Sequence, residues 1–108
     1  MAHILHHDMT LSIGDAGRAL VAVTGEVDAS SADRLRRAIV ATGTAQSADV
    51  EVDLAGVTFM DSTGFRAMAD AASELLTSGL GLVVCNVPRQ VQRLLELIDT
   101  RRSLTVRA

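Results

Sequence analysis

The tetrapeptide Asp61-Ser62-Thr63-Gly64 concentrates more chemistry than any other stretch of the chain: a carboxylate, two hydroxyls and a glycine, where an apolar run gives way to helical spacing. A hydroxyl at the first position of a helix faces unpaired backbone N–H groups and the positive end of the helix dipole, a place that tolerates phosphate. Ser62 therefore has two readings, a helix cap or an acceptor of a phosphoryl group. Thr63 is a first-turn residue whose hydroxyl offers a second acceptor. Asp61 is either a turn former and dipole complement or the group that orients the serine hydroxyl for a kinase. No His or Lys lies beside it in sequence to complete a reacting set, which argues against a catalytic base. Gly64 either permits tight packing or leaves room for a partner's backbone. Upstream, Glu26 and Asp28 are either solvated loop carboxylates or an acidic patch suited to an arginine on a partner.

Other candidates carry less. His3, His6 and His7 cluster near the start, but a strand or frayed terminus does not bring them to one tetrahedral centre, so no metal is expected. Arg101-Arg102 complements a helix C-terminus as simply as it would bind phosphate. Cys85, the only cysteine, lies in the apolar run Leu82-Val83-Val84-Cys85 and reads as a buried, reduced thiol. A hydrolase using Ser62 as nucleophile is disfavoured, because Gly-x-Ser-x-Gly is absent and no acid/base partner is evident. All ten basic residues are arginine. Without lysine there is no P-loop, no Schiff-base amine and no partner for an aspartyl-phosphate receiver site. Chemistry on nucleotides thus falls to another protein, and no enzyme activity or cofactor is expected of this one.

Composition narrows the classes further. At 108 residues the chain is expected to be one domain, residues 1–108, with 48% hydrophobic and 21% charged residues, ordinary globular proportions. A net charge of −3, with Trp 0 and Tyr 0, offers neither a basic field nor stacking platforms for direct nucleic-acid binding. No apolar run approaches the roughly 18 residues that span a bilayer, and the first residues lack the regions of a signal peptide. The expectation is a cytoplasmic protein with no membrane insertion.

The elements that must position the tetrapeptide alternate in period. Residues 3–13, a turn at Gly14-Asp15-Ala16-Gly17 and the apolar run from Ala19 to Thr24 predict a hairpin. Ser30 with Asp33 resembles a capping box, followed at helical spacing by Leu35, Ala38, Ile39 and Thr42, with Gly43 as the helix end. Val50, Val52 and Leu54 then alternate as a strand that continues through Val57 and Phe59-Met60. Phe65, Met68, Ala69, Ala72, Leu75 and Leu76 mark one face of a second helix closed by Gly79. A buried strand from Leu82 to Val87 follows, and Pro88 opens a third helix with Val91, Leu94, Leu95 and Ile98 on one face. Leu104 to Val106 predicts a short edge strand. An α/β domain results: an N-terminal β-hairpin, then βαβαβα units, giving a mostly parallel mixed sheet with helices mainly on one face. In such sheets functional groups gather beyond the strands' carboxyl ends, where Gly25-Glu26-Val27-Asp28 and Asp61-Ser62-Thr63-Gly64 both fall.

Three segments occur in order at telling spacing: Thr24-Gly25-Glu26-Val27-Asp28, Val52-Asp53-Leu54-Ala55-Gly56-Val57-Thr58-Phe59-Met60-Asp61-Ser62-Thr63-Gly64, and Leu82-Val83-Val84-Cys85-Asn86-Val87-Pro88. Together they resemble a STAS domain of the anti-anti-sigma factor family over nearly the whole chain. The resemblance implies that Ser62 is the phosphoacceptor. It implies a partner that is both anti-sigma factor and serine kinase, of the histidine-kinase-like ATPase superfamily, which binds ATP itself. That partner would bind the unphosphorylated chain and release sigma; a PP2C-type phosphatase would reverse the modification. Glu26, Asp28, Asp61, Ser62, Thr63 and Gly64 match the family's partner-binding surface. Phe65 departs from the small aliphatic residue common after the glycine, so it either alters partner choice or turns inward. Ile98-Asp99-Thr100-Arg101-Arg102 lacks the glycine usual after the last helix. The alternative within this resemblance is a constitutive scaffold or accessory subunit of a transporter or signalling complex.

Overall fold

Val21, Val23 and Val27 point to one side of strand β2 (Leu20–Val27), and Val50, Val52 and Leu54 do the same along β3 (Val50–Met60), so the sheet acquires one fully buried face. The computed structural model describes residues 8–14, 17–97 and 104–107. Within them β1 (Thr10–Ile13) pairs antiparallel with β2, and β3, β4 (Leu82–Cys85) and β5 (Thr105–Val106) follow in parallel, in the order β1-β2-β3-β4-β5. Helices α1 (Ala32–Gln46), α2 (Ser62–Leu76) and α3 (Arg89–Leu97) are the crossovers. Each moves the chain one strand further in the same direction, so right-handed connections set all three on one face. One core follows: Leu35 and Ile39 of α1, Met68 and Leu75 of α2, and Val91 and Leu95 of α3 join the strand valines in a single buried cluster. The predicted fold class is the observed one. The three histidines, Ile98 and Arg101-Arg102 lie outside the described residues.

Local departures from the predicted elements have identifiable causes. Gly43 does not end α1; it lies inside it, where a Cβ would sit 2.6 Å from Leu75 Cδ2 and 2.9 Å from Val50 Cγ2. The glycine sets the close approach of α1 to α2 and β3 rather than a helix stop, and Ser47, at φ 50, provides the left-handed cap. The Ser30/Asp33 capping box does not form. Asp33 pairs with Arg36 and Arg37 instead, and Ser30 donates to Asp28 Oδ1 from both its amide (3.0 Å) and its hydroxyl (2.6 Å). Leu76, placed on the apolar stripe by its spacing, is 69% exposed at the last position of α2. Strand β4 stops two residues short of Val87, because Asn86 turns to φ 54. Gly79 closes α2 as predicted, with φ 75 and its amide on the Leu76 carbonyl.

The strand that delivers the tetrapeptide is not a regular one. From Ala22↔Asp53 to Thr24↔Gly56, and again from Gly25↔Val57 to Glu26↔Phe59, β3 advances one residue more than β2. Each extra residue is a bulge that changes which face the next side chain meets. The inward series therefore runs Val50, Val52, Leu54, Val57, Met60, and Phe59 is left 47% exposed. Gly25 sits at the second irregularity with φ 85, a conformation that costs a side-chain-bearing residue free energy. Two bulges thus let an eleven-residue strand end beside an eight-residue one, with Val27 opposite Met60.

On the sheet's other face Glu51 of β3 joins β4 to the residues that flank β2 and β5. Arg107 Nη2 donates to Glu51 Oε2, Arg18 lies 3.8 Å from Oε1, and the Cys85 thiol donates to Oε2 at 3.3 Å. The thiol hydrogen bond first, then Arg107, holds the Glu51 carboxyl below its ordinary value of 4.5, while burial pushes the free, buried Cys85 thiol up. A carboxyl whose folded value is depressed contributes stability that is full above its unfolded pKa and is lost as pH falls through the folded value. The urea midpoint is therefore expected to fall more for the unsubstituted chain than for Arg107→Ala between about pH 5 and about pH 3. Parallel pH profiles for the two proteins would refute the Glu51–Arg107 coupling.

Candidate functional site

Two strand ends meet at the tetrapeptide. Val27 pairs with Met60, and the Asp61 amide donates to the Val27 carbonyl at 3.3 Å, so Asp28 and Asp61 leave adjacent parallel strands, whose spacing is about 4.8 Å. Asp61 then starts α2 as its N-cap, with extended backbone (φ −106, ψ −173). Its Oδ1 accepts from the amides of Thr63 (3.0 Å) and Gly64 (3.3 Å) and from the Thr63 hydroxyl. Its backbone carbonyl accepts from Gly64 (3.1 Å) and Phe65 (3.3 Å). Asp61 is thus the residue that ends the strand, caps the helix and fixes the threonine.

The two hydroxyls receive opposite treatment. Thr63 is half-buried and its proton is held by Asp61, whereas Ser62, the first residue of α2, is exposed and its hydroxyl bonds to no other described residue. Gly64, expected to permit tight packing or to leave room for a partner, is buried: a Cβ there would lie 2.8 Å from both Met60 Cγ and Val27 Cγ1. Its role is to seat α2 on the ends of β2 and β3. Phe65 turns inward and joins the core at 8% exposure. The expectation that a phosphate at Ser62 would find free helix amides also needs correction. Asp61 has already taken those of Thr63 and Gly64.

Glu26 and Asp28 line one side of a cleft of about 210 Å³ with Asp8, Ser31 and Arg34. Asp28 also shapes the cleft, since its carbonyl accepts from Ser31 (3.1 Å) and Ala32 (2.9 Å) where α1 begins. Arg34 crosses the rim to donate to the Met9 carbonyl at 2.6 Å. On the other side of the α1 start, Thr63 and Arg66 of α2 face Asp33 and Arg36 of α1 across a second cleft of about 270 Å³. The surface around Ser62 therefore joins an acidic strand end to a groove between two helices. Arg34, Arg66 and the exposed Phe59, which pairs in register with Glu26, escaped the sequence. The arginines carried no motif, and Phe59 stood in the apolar pair Phe59-Met60, although the alternation begun at Val50 already puts it on the outer face.

This geometry suits recognition and modification of a surface hydroxyl. Among the described residues no group of three or more His, Cys, Asp or Glu side chains could hold a metal ion, and no helix is long and apolar enough to cross a membrane. The model of the family described as the STAS domain matches residues 11–108. Among solved structures the chain is similar to an anti-sigma factor antagonist from Mycobacterium paratuberculosis, with 25% identity and a TM-score of 0.75 over 92% of this chain and 85% of that one. It shares its fold with the anti-sigma factor antagonist SpoIIAA in its unphosphorylated form (17% identity, TM-score 0.69, 94% and 89% covered). It also shares its fold with part of the murine anion transporter Slc26a9 (17% identity, TM-score 0.61, 84% of this chain and 17% of that one). No curated protein matches the sequence.

Asp61→Ala removes a cap that satisfies two amides and is expected to cost about 1 kcal/mol, within a range of roughly 0.5–2. Asp61→Asn keeps an accepting oxygen and is expected to retain most of that stability. Urea unfolding of the three proteins checks this, and an unchanged midpoint for Asp61→Ala would show that the cap contributes nothing.

Proposed function

Because the chain belongs to the STAS domain family, we propose that it is an anti-sigma factor antagonist working by partner switching, with Ser62 as the switch. Unphosphorylated, it binds a cytoplasmic anti-sigma factor that is also a serine kinase of the histidine-kinase-like ATPase superfamily, and sigma is released. The kinase then uses its bound ATP: Ser62 Oγ attacks the γ-phosphorus, ADP leaves, and the hydroxyl proton passes to a base of the kinase. A PP2C-type phosphatase hydrolyses the ester and restores the serine. The observation that carries this reading is the contrast between the open Ser62 hydroxyl and the Thr63 hydroxyl held by Asp61. The similarity to the mycobacterial antagonist supports it.

Electrostatics explains how modification ends binding. A phosphate adds about −1.5 to −2 charges. A doubly charged group about 6 Å from a partner carboxylate costs about 5 kcal/mol at an effective dielectric near 20. Even half of that weakens binding by about two decades, more than the roughly 0.3–2 kcal/mol the helix dipole returns. Glu26, Asp28 and Asp61 supply the acidic ground against which a partner's arginine docks, Ser62 and Thr63 form the contact surface, and Gly64 seats it.

A second reading, a constitutive scaffold or accessory subunit of a transporter or signalling complex, is favoured by the fold shared with the murine transporter. Pull-downs from the native host with the unsubstituted chain, Ser62→Ala and Ser62→Asp separate the two. Partner switching predicts an ATPase-type serine kinase on the first two baits, little on Ser62→Asp, and phosphate mapped to Ser62. Transporter subunits on all three baits, with Ser62 unmodified under every growth condition, would favour the constitutive role.

A further inference from the structure

A phosphate on Ser62 draws little counter-charge from the helix start beyond the dipole, since Asp61 already holds the Thr63 and Gly64 amides and its carboxylate stands beside it. Arg66 lies four residues on, one turn along α2. Side chains at i and i+4 are surface neighbours with Cβ atoms about 5–6 Å apart, and helical side chains lean toward the N-terminus. An arginine at this position is therefore within reach of Ser62 when its stem leans back along the helix. An acid four residues before a base is also the order the helix dipole favours.

Arg66 is available for this. It is exposed, lines the 270 Å³ cleft beside Thr63, and among the described residues forms no ion pair, although Asp70 stands one turn beyond it in the same cleft. The other cation there, Arg36, is committed: it bonds Glu74 at 2.6 Å and Asp33 at 3.0 Å.

We infer that Arg66 is the resident counter-ion of phosphorylated Ser62, folding back one turn to take two phosphate oxygens in a bidentate pair. The inference rests on Ser62 being the phosphoacceptor. It adds a second action to the switch. In the unmodified chain the guanidinium is presented to a partner carboxylate; once the phosphate arrives it is drawn onto α2 and that contact is lost. Phosphorylation then introduces an anion and withdraws a cation in one event.

The test uses the full chain carrying phosphoserine at position 62, installed during translation without any kinase. The second ionisation of the phosphate is followed by ³¹P NMR, and arginine Nε–H resonances by ¹⁵N correlation. Arg66→Gln is expected to raise the phosphate's second pKa by about 0.5 unit, Arg66→Lys to restore part of the difference, and Arg37→Gln to change nothing. One arginine Nε–H resonance, lost in Arg66→Gln, is expected to move on phosphorylation. Equal phosphate pKa values in the unsubstituted and Arg66→Gln chains, with no arginine resonance displaced, would overturn the inference. Because the phosphate is installed directly, that failure would leave kinase recognition of Ser62 standing. A host that never modifies Ser62 would undercut the function while leaving the pairing intact.

Discussion

The Asp61 carboxylate, clamped between a strand end and a helix start, is the constraint on which this end of the molecule depends. Its amide closes β3 onto the Val27 carbonyl, its side chain satisfies two amides of α2, and the same oxygen holds the Thr63 hydroxyl. Remove those bonds and three donors at the top of the sheet lose their partners, while the direction in which α2 leaves β3 is no longer fixed. With them, Ser62 takes the first position of α2, open to solvent. One residue thus builds the platform and selects which hydroxyl is accessible.

A platform so constrained favours a switch in charge over a switch in shape. Gly64 packs against Met60 and Val27, and Phe65 is buried in the core, so α2 has little freedom to move at its first turn. Modification at an exposed first-turn serine changes the surface potential without asking the core to repack. In the proposed switch, what a partner meets after modification is about two added charges and, by the further inference, a reoriented arginine beside them. A bistable element is unnecessary here, unlike in switches that work through order and disorder.

The strand and helix periods were legible in the residues, and so was the meeting of the two acidic motifs at neighbouring strand ends. Alternation at Val50, Val52 and Leu54 and the helical spacing of Leu35, Ile39 and Thr42 reflect burial on one face, which sequence records directly. What sequence records poorly is a local count. Two one-residue bulges reverse the phase of β3 and then restore it, so Met60 faces in and Phe59 out as plain alternation from Val50 has them, but between the bulges Val57 is turned into the core against that alternation. Gly43 looked like a helix stop because glycine serves both as a terminator and as a contact point between helices, and only the position of Leu75 and Val50 decides between them. Ser30 and Asp33 had capping-box spacing, but Asp28 competed for the serine and two arginines for the aspartate. The availability of Arg66 was invisible for the same reason: whether an arginine is paired depends on partners brought near by the fold.

The claim that Ser62 controls association through charge is tested most directly by the dissociation constant between this chain and its captured kinase, measured with Ser62 unmodified and phosphorylated over a series of salt concentrations. The account predicts about 100-fold weaker binding on phosphorylation at low ionic strength, narrowing as salt screens the interface. Equal affinities at every salt concentration would contradict it.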